Sequence, residues 1–288
     1  MKFGLVPINI GVATPEQMIT TAQAAEAAGF ESVWTFEHVI VPTDYASAYP
    51  YNKSGKMGAV PETPFVDPLI ALTAIAANTK TIRLGTGVNI VAQTNALLLA
   101  KQAASLDFLS GGRFMLGAGI GWLREEFTAM GVPFERRGAR FDDYMVAMKK
   151  VWSGEVVEHE SDFLSWHGFK SYPLPVQKTN GASGVPGIPI IMGGKAGKIY
   201  ERIARHGDGW FIPGAGIDDL PAMLADLRAA CEAEGRNYDD IELTTMWGPK
   251  GGADSLKALT DLGITRVVTI LDGSGVDGIN AIAEAHIR

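Results

Sequence analysis

A glutamate and a histidine, Glu37 and His38, stand side by side where the apolar run "SVWTFEH" ends. Histidine is the side chain whose ordinary pKa lies closest to neutrality, so at the mouth of a pocket it can give or take a proton near pH 7. An adjacent carboxylate can orient it or simply face solvent. The other histidines, His159, His167, His206 and His286, show no paired ligand spacing such as H-x-x-x-H, and the single cysteine, Cys231, excludes an internal disulfide and a thiol metal site. No metal is expected.

Two further stretches carry possible chemistry. In "IPIIMGGKAGK" a strand, a glycine pair and a helix start follow one another, with Met192, Gly193, Gly194 and Lys195 at the junction. Backbone N–H groups at such a helix start can approach an anion closely, and Lys195 and Lys198 add positive charge; the bland alternative is a tight turn with two solvated lysines. In "TIRLGTGVNIV" Gly85 and Gly87 interrupt an otherwise good strand. Glycines there mark a bulge or the close approach of another group, here a planar cofactor.

These residues need a scaffold that brings them together. β-branched runs at Lys2 to Ile8, Ser32 to Phe36, Thr81 to Val88, Arg113 to Gly119, Ile188 to Met192, Gly209 to Ile212, Ile241 to Met246 and Arg266 to Leu271 alternate with eight helical patterns, the last at Gly278 to His286. Eight β/α units in 288 residues predict an α/β fold, a (β/α)8 TIM barrel forming one domain. A doubly wound sheet would carry its dinucleotide fingerprint after an early strand, whereas "LGAGIGW" lies mid-chain with G-x-G-x-G spacing. In a barrel the strand ends converge on one mouth. They supply Asn9, Glu37, His38, Gly87, Val88, Asn89, Gly119, Trp122, Met192, Gly193, Gly194, Lys195, Met246, Trp247 and Asp272. Such a mouth is mostly apolar and suits a flat ring system; Trp210 is expected to point into the barrel or toward that ring. Insertions at 39–66, after the second strand, and at 153–187, between the fourth and fifth, exceed what a barrel requires. The first is rich in tyrosine and proline and reads as a lid.

Composition narrows the partners. Hydrophobic residues make up 47% of the chain and the formal net charge is -7, so neither nucleic acid nor an anionic membrane is attracted to the molecule as a whole. The densest basic run, "RRGAR" at 136–140, reads as a solvated helix start. No run of about 18 uncharged apolar residues exists to span a membrane, and a cytoplasmic location with a small-molecule substrate is expected.

The stretch "RLGTGVNIVAQTNALLLAKQAASLDFLSGGRFMLGAGIGWLREEFTAMGVPFERRGARFDDYM", with "GIPIIMGG" and "ARHGDGW" after it, strongly resembles the bacterial luciferase-like flavin and deazaflavin oxidoreductases, and most of all an actinobacterial subgroup dependent on coenzyme F420. The resemblance runs through nearly the whole chain and itself implies the barrel. It further implies hydride transfer between F420 and a small or medium organic substrate. His38 would sit beside the reactive ring carbon with Glu37 as its acidic neighbour. A non-prolyl cis Gly87–Val88 bond would form a bulge behind the ring, and Gly193, Gly194 and Lys195 would form the phosphate-binding turn. Trp122 departs from the pattern, standing where sugar-phosphate dehydrogenases of this family have a catalytic glutamate, which leaves His38 without its expected acid. An FMN-dependent monooxygenase served by a separate reductase and a non-catalytic flavin-binding protein are the alternatives. A homodimer is expected by resemblance alone.

Overall fold

The computed structural model describes residues 1–178, 187–195, 197–270 and 275–288. Its strands are β1 (Lys2–Leu5), β2 (Ser32–Thr35), β3 (Arg83–Thr86), β4 (Asn89–Ile90), β5 (Phe114–Gly119), β6 (Val157–Glu160), β7 (Ser165–Phe169), β8 (Ile190–Gly193), β9 (Gly209–Ile212), β10 (Glu242–Met246) and β11 (Arg266–Thr269). The helices are α1 (Pro15–Ala28), α2 (Pro68–Asn78), α3 (Ala96–Ser110), α4 (Arg124–Ala129), α5 (Arg137–Trp152), α6 (Ile199–His206), α7 (Leu220–Ala233), α8 (Gly252–Asp261) and α9 (Gly275–His286). Local chemistry sets several boundaries. Thr14 caps α1 by accepting the Gln17 N–H, Pro15 occupies the first turn, and Gly29 ends the helix at a φ of 90°.

Strands β1, β2, β3, β5, β8, β9, β10 and β11 pair in parallel, and the β11–β1 and β3–β5 pairings close them into a barrel. This is the expected (β/α)8 fold. The core has two layers. Inside the barrel lie Val6, Trp34, Met115, Ile191, Phe211 and Val268. Between strands and helices lies a larger layer that includes Leu72, Leu99, Phe141, Trp152 and Trp210.

Gly4 and Gly85 admit Trp34 to the interior, for a Cβ on Gly4 would lie 2.9 Å from the indole Nε1 and one on Gly85 only 2.4 Å from Cε3. The planar group that Gly85 accommodates is therefore the protein's own indole rather than a cofactor. Trp210 likewise points neither inward nor toward the mouth. It is buried in the outer layer, edge-on to Tyr200 of α6, and its Nε1–H bonds the Gly194 carbonyl at 2.8 Å.

Other differences from the sequence reading have local causes. The 153–187 insertion contains the antiparallel hairpin β6–β7, held by His159 Nε2 and the Ser161 hydroxyl on opposite oxygens of Asp143 at 2.9 and 2.8 Å. Its residues 179–186 lie outside the described residues, as do Leu271 and Asp272 of the predicted last strand end. The basic run is not solvated throughout. Arg137 donates to the Gly121 carbonyl at 3.0 Å, and the buried Arg140 donates to the Ala92 carbonyl at 2.8 Å and to that of Pro133.

At the N-terminal ends of the strands, Arg266 is fully buried and meets both oxygens of Glu31, at 2.8 and 2.7 Å, and also Glu242. Removing one partner of a buried ion pair leaves uncompensated charge, which costs more than the pair itself contributes. Arg266→Met is expected to lower unfolding free energy by about 3 kcal/mol in a denaturant titration. A loss well under 1 kcal/mol would mean that the two glutamates find other partners.

Candidate active site

The chain leaving β2 is held by Asn9, which is fully buried beyond the end of β1. Its Oδ1 accepts the Phe36 N–H at 3.0 Å, while its Nδ2 donates to the Phe36 and Val66 carbonyls at 2.9 and 2.7 Å. Glu37 and His38 follow at once, so this amide fixes where they emerge. His38 Nδ1 faces Glu126 Oε2 at 3.0 Å, and the imidazole packs nearly perpendicular to both Phe65 and Trp122, with centroids 5.6 and 5.9 Å away.

Glu126 comes from α4 and has no exposed surface. Its second oxygen, Oε1, accepts the N–H of Val39 and, at 3.4 Å, that of Ile40. The acid missing at position 122 is thus supplied four residues later. The signal for it in the sequence is "REEF", just beyond Trp122, which puts two carboxylates at a helix start beside the mouth.

Glu37 turns the other way and accepts the Ile90 N–H through Oε2. Part of the residue reaches solvent, yet its carboxyl is surrounded by protein, and those surroundings decide its charge. Burial, with the nearby carboxylates of Glu126 and Asp67 adding to it, outweighs the Ile90 hydrogen bond and pushes the pKa up to about 8. Near pH 7 the Glu37 carboxyl is therefore mostly protonated.

The Gly87–Val88 peptide is cis, as the resemblance implies. Gly85 pairs with Met115 and Asn89 with Ala118, so the β3–β4 segment carries one residue more than β5 between those points, which is a bulge. Val88 fills the space left by two glycines: a Cβ on Gly119 would lie 2.5 Å from its Cγ2, and one on Gly193 2.4 Å from its Cγ1. The missing Cβ of Gly87 is matched by the Phe211 ring, 2.7 Å away. Asn89 is buried with Oδ1 unpartnered among the described residues.

Gly194, at a φ of 131°, and Lys195 continue the wall, and Lys195 donates to the Gly214 carbonyl at 2.8 Å, close to Tyr51. Met192 is an exception among the predicted contacts. It is fully buried and packs outward, where a Cβ on Gly207 would lie 3.1 Å from its Cγ, so only its backbone remains on the strand end. Trp247 also turns outward, edge-on to His286 of α9 at 5.0 Å with its Nε1–H on the Ser255 hydroxyl at 2.8 Å, and Met246 packs on the interior cluster. The remaining predicted residues from Glu37 to Lys195 lie across the ends of β2, β4, β5 and β8.

The 39–66 segment lies over this surface. Tyr45 and Tyr49 pack against Trp122 at 5.8 and 5.1 Å, and Tyr49 against Tyr51 at 5.5 Å. Glu125 fastens it, one oxygen accepting the N–H groups of Ala46 and Ser47 at 2.8 and 3.2 Å and the other the Ser47 hydroxyl at 2.7 Å. Burial would raise the Glu125 pKa, but the Ser47 hydroxyl and these backbone donors hold it near 2. Two cavities lie elsewhere, one of ≈ 420 Å³ between α7 and α8 and one of ≈ 260 Å³ at the opposite end of the barrel. Neither contains a residue of the mouth. Among the described residues no cluster of three or more His, Cys, Asp or Glu could hold a metal.

The raised pKa of Glu37 makes stability depend on pH with a definite sign. The folded protein keeps a proton that the unfolded chain loses above about 4.5, so the stabilisation is complete below that pH and is lost as pH rises through about 8. Thermal unfolding of the wild type and Glu37→Gln, compared from about pH 5 to about pH 9, should show the variant gaining relative stability with pH. A constant difference would mean that Glu37 is ionised throughout.

Comparisons with known proteins agree with this architecture. An uncharacterised protein of Mycobacterium tuberculosis is 30% identical over 290 residues, covering 99% of this chain and 96% of the relative. An FMNH(2)-dependent dimethylsulfone monooxygenase of Pseudomonas putida is 28% identical over 141 residues, 48% of this chain and 37% of that one. Among solved structures, the coenzyme F420 dependent tetrahydromethanopterin reductase of Methanopyrus kandleri superposes with a TM-score of 0.77 at 16% identity, covering 99% of this chain and 97% of its own. The sequence profile of the family described as luciferase-like monooxygenase matches residues 5–255. The chain belongs to the luciferase-like monooxygenase family and is an oxidoreductase of that kind.

Proposed function

We propose that this protein transfers a hydride between coenzyme F420 and a small or medium apolar carbonyl compound, with His38 as the residue that moves the accompanying proton. The observation that carries the reading is His38 itself, delivered to the barrel mouth at the end of β2, with Nδ1 engaged by Glu126 and Nε2 without a partner among the described residues. The mouth fits a flat, partly polar cofactor. Its wall is glycine-rich around Val88, its buried Asn89 Oδ1 lacks a partner, and Lys195 stands at one edge. When bound, a deazaflavin supplies a two-electron hydride couple that reacts poorly with oxygen.

The protein's own groups supply the rest. Gly87, Val88, Asn89, Gly119 and Trp122 would line the ring. Gly193, Gly194 and Lys195 would hold a phosphate, and the backbone at Met192 would lie behind it. His38 Nε2 gives a proton to the substrate oxygen as hydride arrives, or takes it in the reverse direction. Glu37 stays neutral near pH 7 and can donate a hydrogen bond without adding a negative charge to the site. Tyr45, Tyr49, Phe65 and Trp122 favour a substrate with an apolar or planar body and exclude water from the reacting atoms. A cytoplasmic homodimer belongs to the same reading.

The six tryptophans allow cofactor binding to be followed by fluorescence. Saturable binding of F420, with FMN weaker, is expected. Oxidation of reduced F420 by a panel of apolar ketones and enones should be slowed about 10²- to 10⁴-fold in His38→Ala while F420 still binds. Tight FMN binding without F420 binding would assign the site to flavin monooxygenase chemistry. Binding with an unchanged rate in the variant would remove His38 from the mechanism.

A further inference from the structure

We infer that Glu126 is a positioning residue that fixes the tautomer of His38, holding the proton on Nδ1 so that Nε2 is the nitrogen available at the mouth. The inference deepens the reading of His38 as the proton-handling group and rests on it. Three groups converge on this one carboxylate: Val39 N–H and Ile40 N–H on Oε1, and His38 Nδ1 on Oε2 at 3.0 Å. An ionised carboxylate accepts only, so the nitrogen facing it must carry the hydrogen. Glu126 has no exposed surface, so no solvent exchange competes at that oxygen. Phe65 and Trp122 pack against the same imidazole at interplanar angles of 85° and 87°, which adds contacts that favour its present orientation.

The same carboxylate that sets the tautomer holds the first two peptide groups of the 39–66 segment. Its neighbour Glu125 holds Ala46 and Ser47 further along. The tautomer and the placement of the segment over the mouth therefore share one turn of helix. Glu37 does not share this role, since its hydrogen bond goes to Ile90 and not to the imidazole.

Glu126→Gln separates charge and tautomer from shape. The amide has one acceptor oxygen, and two backbone N–H groups compete with one imidazole N–H for it. Two backbone contacts hold the oxygen against one imidazole contact, so it stays with Val39 and Ile40 and the amide NH₂ turns to His38. Nδ1 must then become the acceptor, and the proton moves to Nε2. Replacing a buried carboxylate by its amide imposes the wrong tautomer on a catalytic histidine in the same way elsewhere.

The test is nitrogen NMR on histidine-labelled protein under conditions where the imidazole carries one proton, with His38→Asn used to assign the signal. The wild type should show Nδ1 protonated and Nε2 bare; Glu126→Gln should show the two exchanged; Glu126→Asp, which keeps an acceptor-only group, should retain the wild-type pattern. A wild-type His38 protonated on Nε2 overturns the inference, whether or not any variant folds. So does an unchanged pattern in a folded Glu126→Gln. F420 titration of the same samples keeps the two claims apart, because a tautomer exchange without F420 binding would leave Glu126 in its role and remove the cofactor assignment.

Discussion

One buried carboxylate organises the mouth of this barrel. Glu126 receives the imidazole of His38 and the first two peptide N–H groups after it, and because the carboxylate has no exposed surface of its own, these partners take the place of water around its charge. The arrangement needs α4, a helix of six residues between β5 and α5, and α4 in turn needs its surroundings. Phe127 is buried beside Glu126, and Arg137 reaches from α5 to the Gly121 carbonyl just before the helix. The first turn of a short helix is thereby tied both to the strand that frames the mouth and to the segment that covers it.

The opposite wall is built by omission of side chains. Trp34 occupies the barrel axis only because Gly4 and Gly85 leave room, and Val88 reaches between β5 and β8 only because Gly119 and Gly193 do. The aromatic plug and the valine have different consequences. Trp34 closes the interior so that the barrel is a packed core rather than a channel. Val88 carries backbone toward the mouth at the bulge, where a flat group could rest on it. The two sides meet through Glu37, whose carboxyl bonds Ile90 on the bulged strand while its chain neighbour His38 bonds α4. Adjacent residues of one strand end thus brace opposite walls.

Much of this was legible in the residues. Eight alternations of β-branched and amphipathic runs led to the barrel, the glycine-interrupted strand to the bulge, and the strand ends to most of the mouth. What escaped were features decided by tertiary packing. Gly85 signalled the close approach of a ring, but nothing local distinguishes a cofactor from Trp34, which comes from the neighbouring strand. The sequence suggests Met192 at the site and Trp210 either inside the barrel or toward the ring, whereas strand alternation turns both toward α6. Glu126 was missed because acidic residues in a first helical turn are ordinarily solvated, and only the fold reveals that this one is buried against three donors. The hairpin in the 153–187 insertion escaped because its strands, of four and five residues, are too short to show a period.

The account stands on the claim that F420 lies across the mouth with its reactive carbon presented to His38. A crystal structure with F420 bound tests this directly. The account predicts the deazaflavin ring resting on the Val88 bulge, its phosphate at Gly193 and Gly194, and His38 Nε2 facing the ring with Nδ1 still on Glu126. A ring bound away from Val88, or an F420 site that leaves His38 on the far side of Trp122, would contradict it.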